Sequence, residues 1–289
     1  MTFTEHLQYP EGPVALSDGC WLVVEGGERG CVTHISRDGR TKRIIAKSGL
    51  PNGLAVDREG VIWVAEPKTS SLLRLTMGGE VSVFMTECNG ENFLYPNDLC
   101  FGPDGALYLT DSGILMDDFE PGGKIREDYL TAEVDGRVYR IDTNTRTISK
   151  LDSGLRFTNG LAFGPDNSLY VNETMTGMIY RYQWSGGQTV GRRQDFGNVL
   201  SGGGHNSMRG PDGMAFGVDG KLYVAVYGQG DVTVLGQDGH VSERIRTEGI
   251  MPTNVAFGPP GQRKIYVTEY ELGQIEVFDV ETDGLPLWN

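Results

Sequence analysis

Residues 157–173 read FTNGLAFGPDNSLYVNE, and a closely similar stretch, GPDGMAFGVDGKLYVAV, spans residues 210–226. Each contains two short apolar runs separated by a turn rich in Gly, Asp or Asn, which is the pattern of a β-hairpin. This pattern decides the fold because it occurs six times. The other four copies are YPEGPVALSDGCWLVVE at residues 9–25, LPNGLAVDREGVIWVAE at 50–66, YPNDLCFGPDGALYLTD at 95–111 and MPTNVAFGPPGQRKIYVTE at 251–269.

The copies recur at a regular period. Their opening residues are Pro10, Pro51, Pro96, Thr158, Pro211 and Pro252, separated by 41, 45, 62, 53 and 41 positions. Repeats of this length with about four short strands each are the signature of a β-propeller. We therefore predict an all-β, six-bladed β-propeller that forms one domain over residues 1–289. A two-domain α/β fold is the alternative for this length, and the absence of sustained helical periodicity argues against it.

The last repeat supplies only three strands before the chain ends at Asn289. The N-terminal segment TFTEHLQ, residues 2–8, has no place in the first repeat. We predict that it forms the fourth strand of blade six, which closes the ring and leaves no free strand edge.

Composition narrows the possible functions. The net charge of −14 disfavours nucleic acid and anionic membranes as partners, because phosphate binding requires a basic face. The four cysteines lack CxxC spacing and are interpreted as reduced, mostly buried thiols. No signal-peptide pattern and no apolar run of about 18 residues occurs, so a soluble cytoplasmic protein is expected. The oligomeric state stays open.

Blade geometry converts the repeat into two rings of side chains. The first strand of a blade lines the channel and the second is antiparallel to it, so the start of the first and the end of the second lie at the same end. The residues just after each opening position, here called the axial ring, are Glu11, Asn52, Asn97, Asn159, Asp212 and Thr253. The residues that end the second strands, here called the second ring, are Glu25, Glu66, Asp111, Glu173, Val226 and Glu269.

The axial ring points to a bound cation. Asn and Asp are common in turns, which is enough to account for Asn52 and Thr253. Turn preference accounts less well for Glu11. In addition, two carboxylates on one axis, Glu11 and Asp212, repel each other unless a cation lies between them. Carboxylate and amide oxygens are hard ligands, so Ca²⁺ is the expected ion, with Zn²⁺, Mn²⁺ or Mg²⁺ as alternatives.

Five motifs together resemble the family of six-bladed propeller lactonases that contains gluconolactonase and the senescence marker protein regucalcin. They are PEGPV at 10–14, YPNDL at 95–99, YLTD at 108–111, FTNGLAF at 157–163 and GPDGMAF at 210–216. The resemblance implies a divalent metal held by Glu11, Asn159 and Asp212, with Asn97 beside it or bound to it. It also implies hydrolysis of a small-molecule lactone, often a sugar lactone.

One position departs from the sugar-lactone members. Where several of them carry Arg, two residues before the Asn of the PND motif, this chain has Tyr95. Arg offers a charged donor to sugar oxygens, whereas Tyr offers one hydroxyl and an apolar ring. The resemblance with this change favours a less polar or aromatic lactone, with Tyr95 and Asn97 as substrate contacts.

Two insertions interrupt the repeat, at residues 113–135 and 198–210. Both are expected on the metal-bearing face, as a lid and an entrance, because long loops in compact domains are often functional. Candidate substrate contacts in the second insertion are His205 and Arg209. An apolar wall is expected from the first insertion, formed by Leu115, Met116, Phe119 and Tyr129.

These features predict a hydrolase in which the metal polarises the lactone carbonyl and a carboxylate activates water. Asp212 is the first candidate for the general base and Asp111 the second. Two alternatives remain open at this point. One is an aryl-ester or organophosphate hydrolase using the same site, and the other is a non-catalytic ligand-binding propeller with a structural cation.

Overall fold

The structure is a computed structural model and describes residues 1–202 and 208–288. Its strands form six four-stranded antiparallel sheets, one for each repeat. The chain begins with β1 (Thr2–Thr4). Blade one contains β2 (Pro10–Ala15), β3 (Trp21–Glu25), β4 (Cys31–Ile35) and β5 (Lys42–Lys47). Blade two contains β6 (Leu54–Val56), β7 (Ile62–Glu66), β8 (Ser71–Leu75) and β9 (Val81–Met85).

A small hairpin of β10 (Glu87–Cys88) and β11 (Glu91–Asn92) follows. Blade three contains β12 (Pro96–Phe101), β13 (Leu107–Asp111), β14 (Gly136–Asp142) and β15 (Thr147–Leu155). Blade four contains β16 (Thr158–Phe163), β17 (Leu169–Glu173), β18 (Met178–Ser185) and β19 (Gln188–Asn198). Blade five contains β20 (Gly210–Phe216), β21 (Leu222–Tyr227), β22 (Asp231–Leu235) and β23 (Val241–Arg246). Blade six contains β24 (Pro252–Phe257), β25 (Lys264–Glu269) and β26 (Gln274–Asp279). The predicted all-β, six-bladed propeller is confirmed.

Strand β1 occupies the outer edge of blade six. It pairs antiparallel with β26, with Thr2 opposite Glu276. The Phe3 ring lies 5.0 Å from the Tyr266 ring of blade six and 6.2 Å from the Trp21 ring of blade one, measured between ring centroids. The N-terminal segment therefore joins the last blade to the first by both main-chain pairing and aromatic packing.

The core lies between the blades. Leu22 of blade one packs in the same buried cluster as Leu54 of blade two, and Tyr108 of blade three packs with Leu161 of blade four. Because each blade is covered on both faces, its inner strands carry continuous apolar runs instead of alternating ones. This burial on two faces explains why every residue of β3 and β7 is buried.

The first strands bend at a fixed place. In five blades the pairing between the first and second strands shifts register next to the axial ring, for example between Pro96 and Leu99 and between Thr158 and Leu161. A shift of this kind is a β-bulge, which bends the strand and re-aims its side chains. The repeated bulge bends each of these first strands beside its axial-ring residue.

The first insertion carries short helical turns. Between β13 and β14 it forms α1 (Met116–Phe119) and one 3₁₀ turn (Tyr129–Thr131). His205 of the second insertion lies outside the described residues. All four cysteines are free thiols, with Cys31 and Cys88 buried and the other two partly buried. Over the described ranges, no helix has the length and apolar character needed to cross a membrane.

Candidate metal centre and active site

Four members of the axial ring are buried together at the start of their strands. Glu11, Asn97, Asn159 and Asp212 are each at most 8% exposed. The carboxylates of Glu11 and Asp212 are within hydrogen-bonding reach of each other although they belong to blades one and five. The side chain of Asn159 hydrogen-bonds to Asp212. The structure thus brings Glu11, Asn159 and Asp212 from blades one, four and five into contact.

The electrostatics of this group are unfavourable for bare carboxylates. Burial, followed by the negative charge of Asp98, raises the pKa of Glu11 to about 8. Burial and the charges of Glu11 and Asp98 raise the pKa of Asp212 well above its usual value. Buried carboxylates that face each other must bind protons or a cation. The donor set of two carboxylates and two amides fits a hard divalent cation.

Asp98 is a member of this group that the sequence interpretation missed. It follows Asn97 and is partly buried, and burial raises its pKa to about 7. Its Oδ1 accepts the main-chain N–H of Leu99 at 2.8 Å. The same alignment contains the signal for this residue, in the column that reads Gly12, Gly53, Asp98, Gly160, Gly213 and Asn254.

Glycine fills four positions of that column because neighbouring first strands approach closely there. A β-carbon on Gly160 would collide with the main-chain oxygen of Asp212, and one on Gly213 would collide with the side chain of Asn254. The two side chains that do occur both serve the site. Asn254 donates its Nδ2 hydrogen to Glu11 Oε2 at 2.9 Å, and Asp98 adds a third carboxylate.

A chain of hydrogen bonds fixes the amide of Asn97. Its Nδ2 donates to Ser112 Oγ at 3.0 Å, and that hydroxyl donates to the main-chain oxygen of Thr158 at 2.8 Å. Its Oδ1 accepts a hydrogen from Asn52 Nδ2 at 3.2 Å. An amide oxygen has two lone pairs, so Asn97 Oδ1 retains one acceptor direction for a ligand.

The second ring has a different role from the axial ring. Asp111 is fully buried, and its two oxygens accept the main-chain N–H groups of Leu94 at 2.8 Å, Tyr95 at 2.9 Å and Gly113 at 2.9 Å. Glu66 accepts the Leu50 N–H at 2.8 Å in the same way. Similar bonds to the incoming loop are made by Glu25 with Gln8, Glu173 with Arg156 and Glu269 with Met251.

These carboxylates hold the loop that enters each blade. Charge-assisted bonds to main-chain amides satisfy buried donors that the loops cannot pair otherwise. Asp111 therefore has the contacts of a loop-binding residue, and we do not retain it as a candidate general base. Val226, the one apolar member of the second ring, lies in the blade that follows the second insertion.

Aromatic rings surround the axial ring. The charge of Asp212 contributes to raising the pKa of both Tyr95 and Tyr227, which places the two hydroxyls near that carboxylate. The Tyr227 and Tyr270 rings lie 6.3 Å apart, and the Tyr95 and Phe157 rings 5.8 Å apart. Phe157 has a φ of 68°, which is unusual for a bulky residue and marks local backbone strain beside the site.

The first insertion packs against these rings of Tyr95, Phe157, Tyr227 and Tyr270, here called the aromatic wall. Phe119 is 1% exposed, and its ring lies 4.5 Å from that of Phe157. Tyr129 packs at the edge of the same cluster. Leu115 is exposed, so it does not belong to the apolar wall that the sequence predicted for this insertion. The insertion also brings Glu120 to the site, where it accepts the Tyr95 hydroxyl at 3.5 Å.

Arg209 and Met116, predicted as a substrate contact and as part of an apolar wall, are both partly buried. Arg209 lies directly before β20, three residues from Asp212. Met116 lies in α1. The sequence interpretation missed Glu120, Tyr227 and Tyr270. Tyr227 ends the second strand of blade five, and Tyr270 directly follows the second strand of blade six.

The chain is similar to known proteins over most of its length. The family described as SMP-30/Gluconolactonase/LRE-like region matches residues 68–271. Diisopropyl-fluorophosphatase of Loligo vulgaris is 28% identical over 303 residues, which cover 97% of this chain and 92% of the relative. Gluconolactonase of Zymomonas mobilis is 26% identical over 282 residues, which cover 89% of this chain and 75% of the relative.

Among solved structures, the calcium-binding protein regucalcin of Agrobacterium tumefaciens superposes with a TM-score of 0.76 at 18% identity. The match covers 99% of this chain and 98% of that one, and shows a shared fold. The family model spans more than half of the chain, and it confirms the resemblance drawn from the five motifs. The chain therefore belongs to the SMP-30/gluconolactonase/LRE-like family.

Proposed function

We propose that this protein is a divalent-metal-dependent hydrolase that opens the ring of a lactone. The observation that carries the proposal is the convergence of Glu11, Asn159 and Asp212 from three blades into one buried group, with Asn97 buried at the corresponding position of blade three. The names of the relatives support the reaction class, since they include a gluconolactonase and a fluorophosphatase, both of which hydrolyse small molecules at an electrophilic centre.

These four side chains would hold the ion. We propose Ca²⁺, because all four ligands are hard oxygen donors and a related fold is that of a calcium-binding protein. Zn²⁺, Mn²⁺ and Mg²⁺ are the alternatives that the experiment below compares. When bound, such an ion supplies a Lewis acid for an ester carbonyl.

The chain's own residues have separate tasks in this proposal. Asp212 is the proposed general base that accepts the proton of the attacking water, since it is a carboxylate of the axial group beside the metal position. Ser112 positions the amide of Asn97, whose oxygen would be the ligand atom. The first insertion, through Phe119 on Phe157, covers the aromatic wall and limits access of bulk water.

The aromatic wall favours a substrate with an apolar or aromatic part. Tyr95, Phe157, Tyr227 and Tyr270 present rings and hydroxyls, which suit a less polar lactone better than a polyhydroxylated one. Glu120 adds a negative charge beside Tyr95, so anionic lactones are disfavoured.

A second candidate substrate class is an aryl ester or an organophosphate. The observation that favours it is the similarity to diisopropyl-fluorophosphatase over 97% of the chain. The same ligands and the same aromatic wall accommodate a phosphoryl or aryl-ester group, so only a direct comparison of substrates separates the two classes.

The test is hydrolysis of lactones, aryl esters and diisopropyl fluorophosphate by EDTA-treated protein, with and without Ca²⁺, Mn²⁺, Zn²⁺ and Mg²⁺. We expect a metal to restore acid release from a lactone in the wild type and not in Glu11→Gln. The matched control is Glu25→Gln in the same blade, because Glu25 binds the Gln8 N–H and not the axial group. Preferred fluoride release would favour the phosphatase class, and a cation-dependent rise in Tm without any turnover would leave a binding propeller.

A further inference from the structure

A second cluster of metal-ligating side chains lies at the opposite end of blade one. Asp18 and Cys20 belong to the turn between β2 and β3, and His34 lies in β4. Glu11 is paired near the other end of this hairpin, opposite Val24. The cluster is therefore separated from the axial group by the length of the blade.

The strand register brings the three side chains together. His34 lies opposite Leu22 across the β3–β4 ladder, so both side chains point to the same face. Cys20 precedes Leu22 by two residues and shares that face. Asp18 is turned toward them because its Oδ1 accepts the Cys20 N–H at 2.9 Å. As a result, one ligand atom of each residue lies within 4.8 Å of the others.

The surroundings keep the ligand atoms available. Arg37 donates its Nε hydrogen to the main-chain oxygen of Asp18 at 3.0 Å, and not to the carboxylate. The Cys20 N–H lowers the pKa of Asp18, so this carboxylate is ionised at neutral pH. Cys20 and His34 are both partly exposed, which leaves a path for an ion from solvent.

We propose that Asp18, Cys20 and His34 form a site for a soft divalent metal such as Zn²⁺ or Co²⁺, with water completing the coordination. One carboxylate oxygen, one sulfur and one imidazole nitrogen are the ligands that tetrahedral zinc accepts in proteins. Thiolate and imidazole select such ions against Ca²⁺, whereas the oxygen donors of the axial group select the opposite way. The chain thus has two cation sites of different chemistry, and this site does not depend on the proposed hydrolase function.

Occupation of the site would join the β2–β3 turn to β4 within blade one. When the metal binds, Cys20 releases its thiol proton and coordinates as a thiolate, and His34 coordinates as the neutral imidazole. Binding therefore weakens as the pH falls.

The test is titration of the metal-free full-length protein with Co²⁺, followed by the charge-transfer absorption that a thiolate–Co²⁺ bond produces. We expect the band to saturate at one Co²⁺ per chain, to be displaced by Zn²⁺ and to resist Ca²⁺. The band should be lost in Cys20→Ser and should require more Co²⁺ in His34→Gln. The other thiols are poor candidates, because burial raises the pKa of Cys31, Cys88 and Cys100.

Two controls separate this site from the rest of the molecule. Cys100→Ser should keep the band, and Glu11→Gln should keep it too even when it abolishes hydrolysis. Cys20→Ser should retain wild-type circular dichroism and hydrolysis, which shows that loss of the band is not loss of the fold. Absence of the band in the wild type, its persistence in Cys20→Ser, or unchanged Co²⁺ affinity in His34→Gln would each overturn the proposal.

Discussion

Replacing Asp98 by Asn should stabilise the metal-free protein and at the same time weaken its binding of a divalent cation. Asp98 lies in the alignment column that holds glycine in four of the six repeats. Its negative charge raises the pKa of both Glu11 and Asp212. Asn has nearly the same shape, and its Oδ1 can still accept the Leu99 N–H that Asp98 accepts at 2.8 Å. The substitution therefore removes charge with little change in packing.

The size of the effect follows from the pKa of Asp98, which burial raises from 3.8 to about 7. The native state then holds this proton more tightly than the unfolded chain does. Its stabilising effect is complete below the unfolded pKa of 3.8 and is lost as the pH rises to about 7. One pKa unit corresponds to about 1.4 kcal/mol, so the free energy of unfolding falls by roughly 4 kcal/mol across this window. The Asn variant does not titrate and keeps that free energy.

Urea unfolding in EDTA at about pH 5 and about pH 8 measures the difference. We expect Asp98→Asn to be more stable than the wild type by a few kcal/mol at the higher pH, with a smaller gap at the lower pH. Calorimetric Ca²⁺ titration of the same variant should show weaker binding. The matched control is Asp104→Asn in the same blade, which should be destabilising because Asp104 pairs with Arg140 at 2.6 Å. Equal or lower stability of Asp98→Asn at the higher pH would refute the reasoning.

Four further predictions test other parts of the molecule. Asp212→Asn should lower kcat by about a hundredfold or more and should also reduce cation affinity. Steady-state kinetics and metal analysis measure the two effects, and wild-type turnover with wild-type cation affinity would contradict the prediction. Asp111→Asn should keep the cation and turnover while losing about 1–3 kcal/mol of unfolding free energy in urea, so loss of turnover in a stable variant would restore Asp111 as a base. Glu120→Gln should raise kcat/KM for an anionic lactone relative to a neutral one, and an unchanged ratio would exclude Glu120 from selectivity. Deleting residues 1–4 removes β1 and should lower Tm by several degrees in a calorimetric scan, whereas an unchanged Tm would mean that β1 contributes nothing to closure.

The architecture was predictable because a propeller repeats one blade structure six times. Each repeat needs a turn at the channel followed by a strand that is buried on both faces, so the sequences of residues 157–173 and 210–226 resemble each other. The pairing of β1 with β26 also follows from counting strands, since the sixth repeat supplies only three and its edge would otherwise stay open.

The roles of the two acidic rings were harder to predict. Strand direction correctly places Glu11 and Asp111 at the same end of their blades. It does not say which carboxylate faces the axis and which faces a loop, because that depends on the bulge in the first strand and on the path of the incoming main chain. Asp111 meets three main-chain N–H groups, whereas Glu11 meets Asn254 and Asp212. Repeat alignment shows position, and only three-dimensional contacts separate a loop-binding carboxylate from a cation ligand.

The aromatic wall depends on contacts between segments that are distant in sequence. Tyr227 ends β21 and Tyr270 directly follows β25, at a position where the repeat has no preferred residue. The proximity of Tyr270 to Tyr95 appears only once the blades are arranged around the axis. Glu120 reaches the same place because its insertion folds back on Phe157 through Phe119. Loop conformation of this kind leaves no periodic trace in a sequence.

Asp98 affects both the stability of the fold and the proposed binding of a cation. A third buried carboxylate beside Glu11 and Asp212 opposes folding of the metal-free chain by several kcal/mol, a large fraction of the roughly 5–15 kcal/mol that a domain has in total. Any cation that binds the native state and not the unfolded chain offsets this cost. The ion required for the proposed hydrolysis would therefore also stabilise the centre of the ring, and neutralising Glu11, Asp98 or Asp212 should lower cation affinity while raising the stability of the metal-free protein.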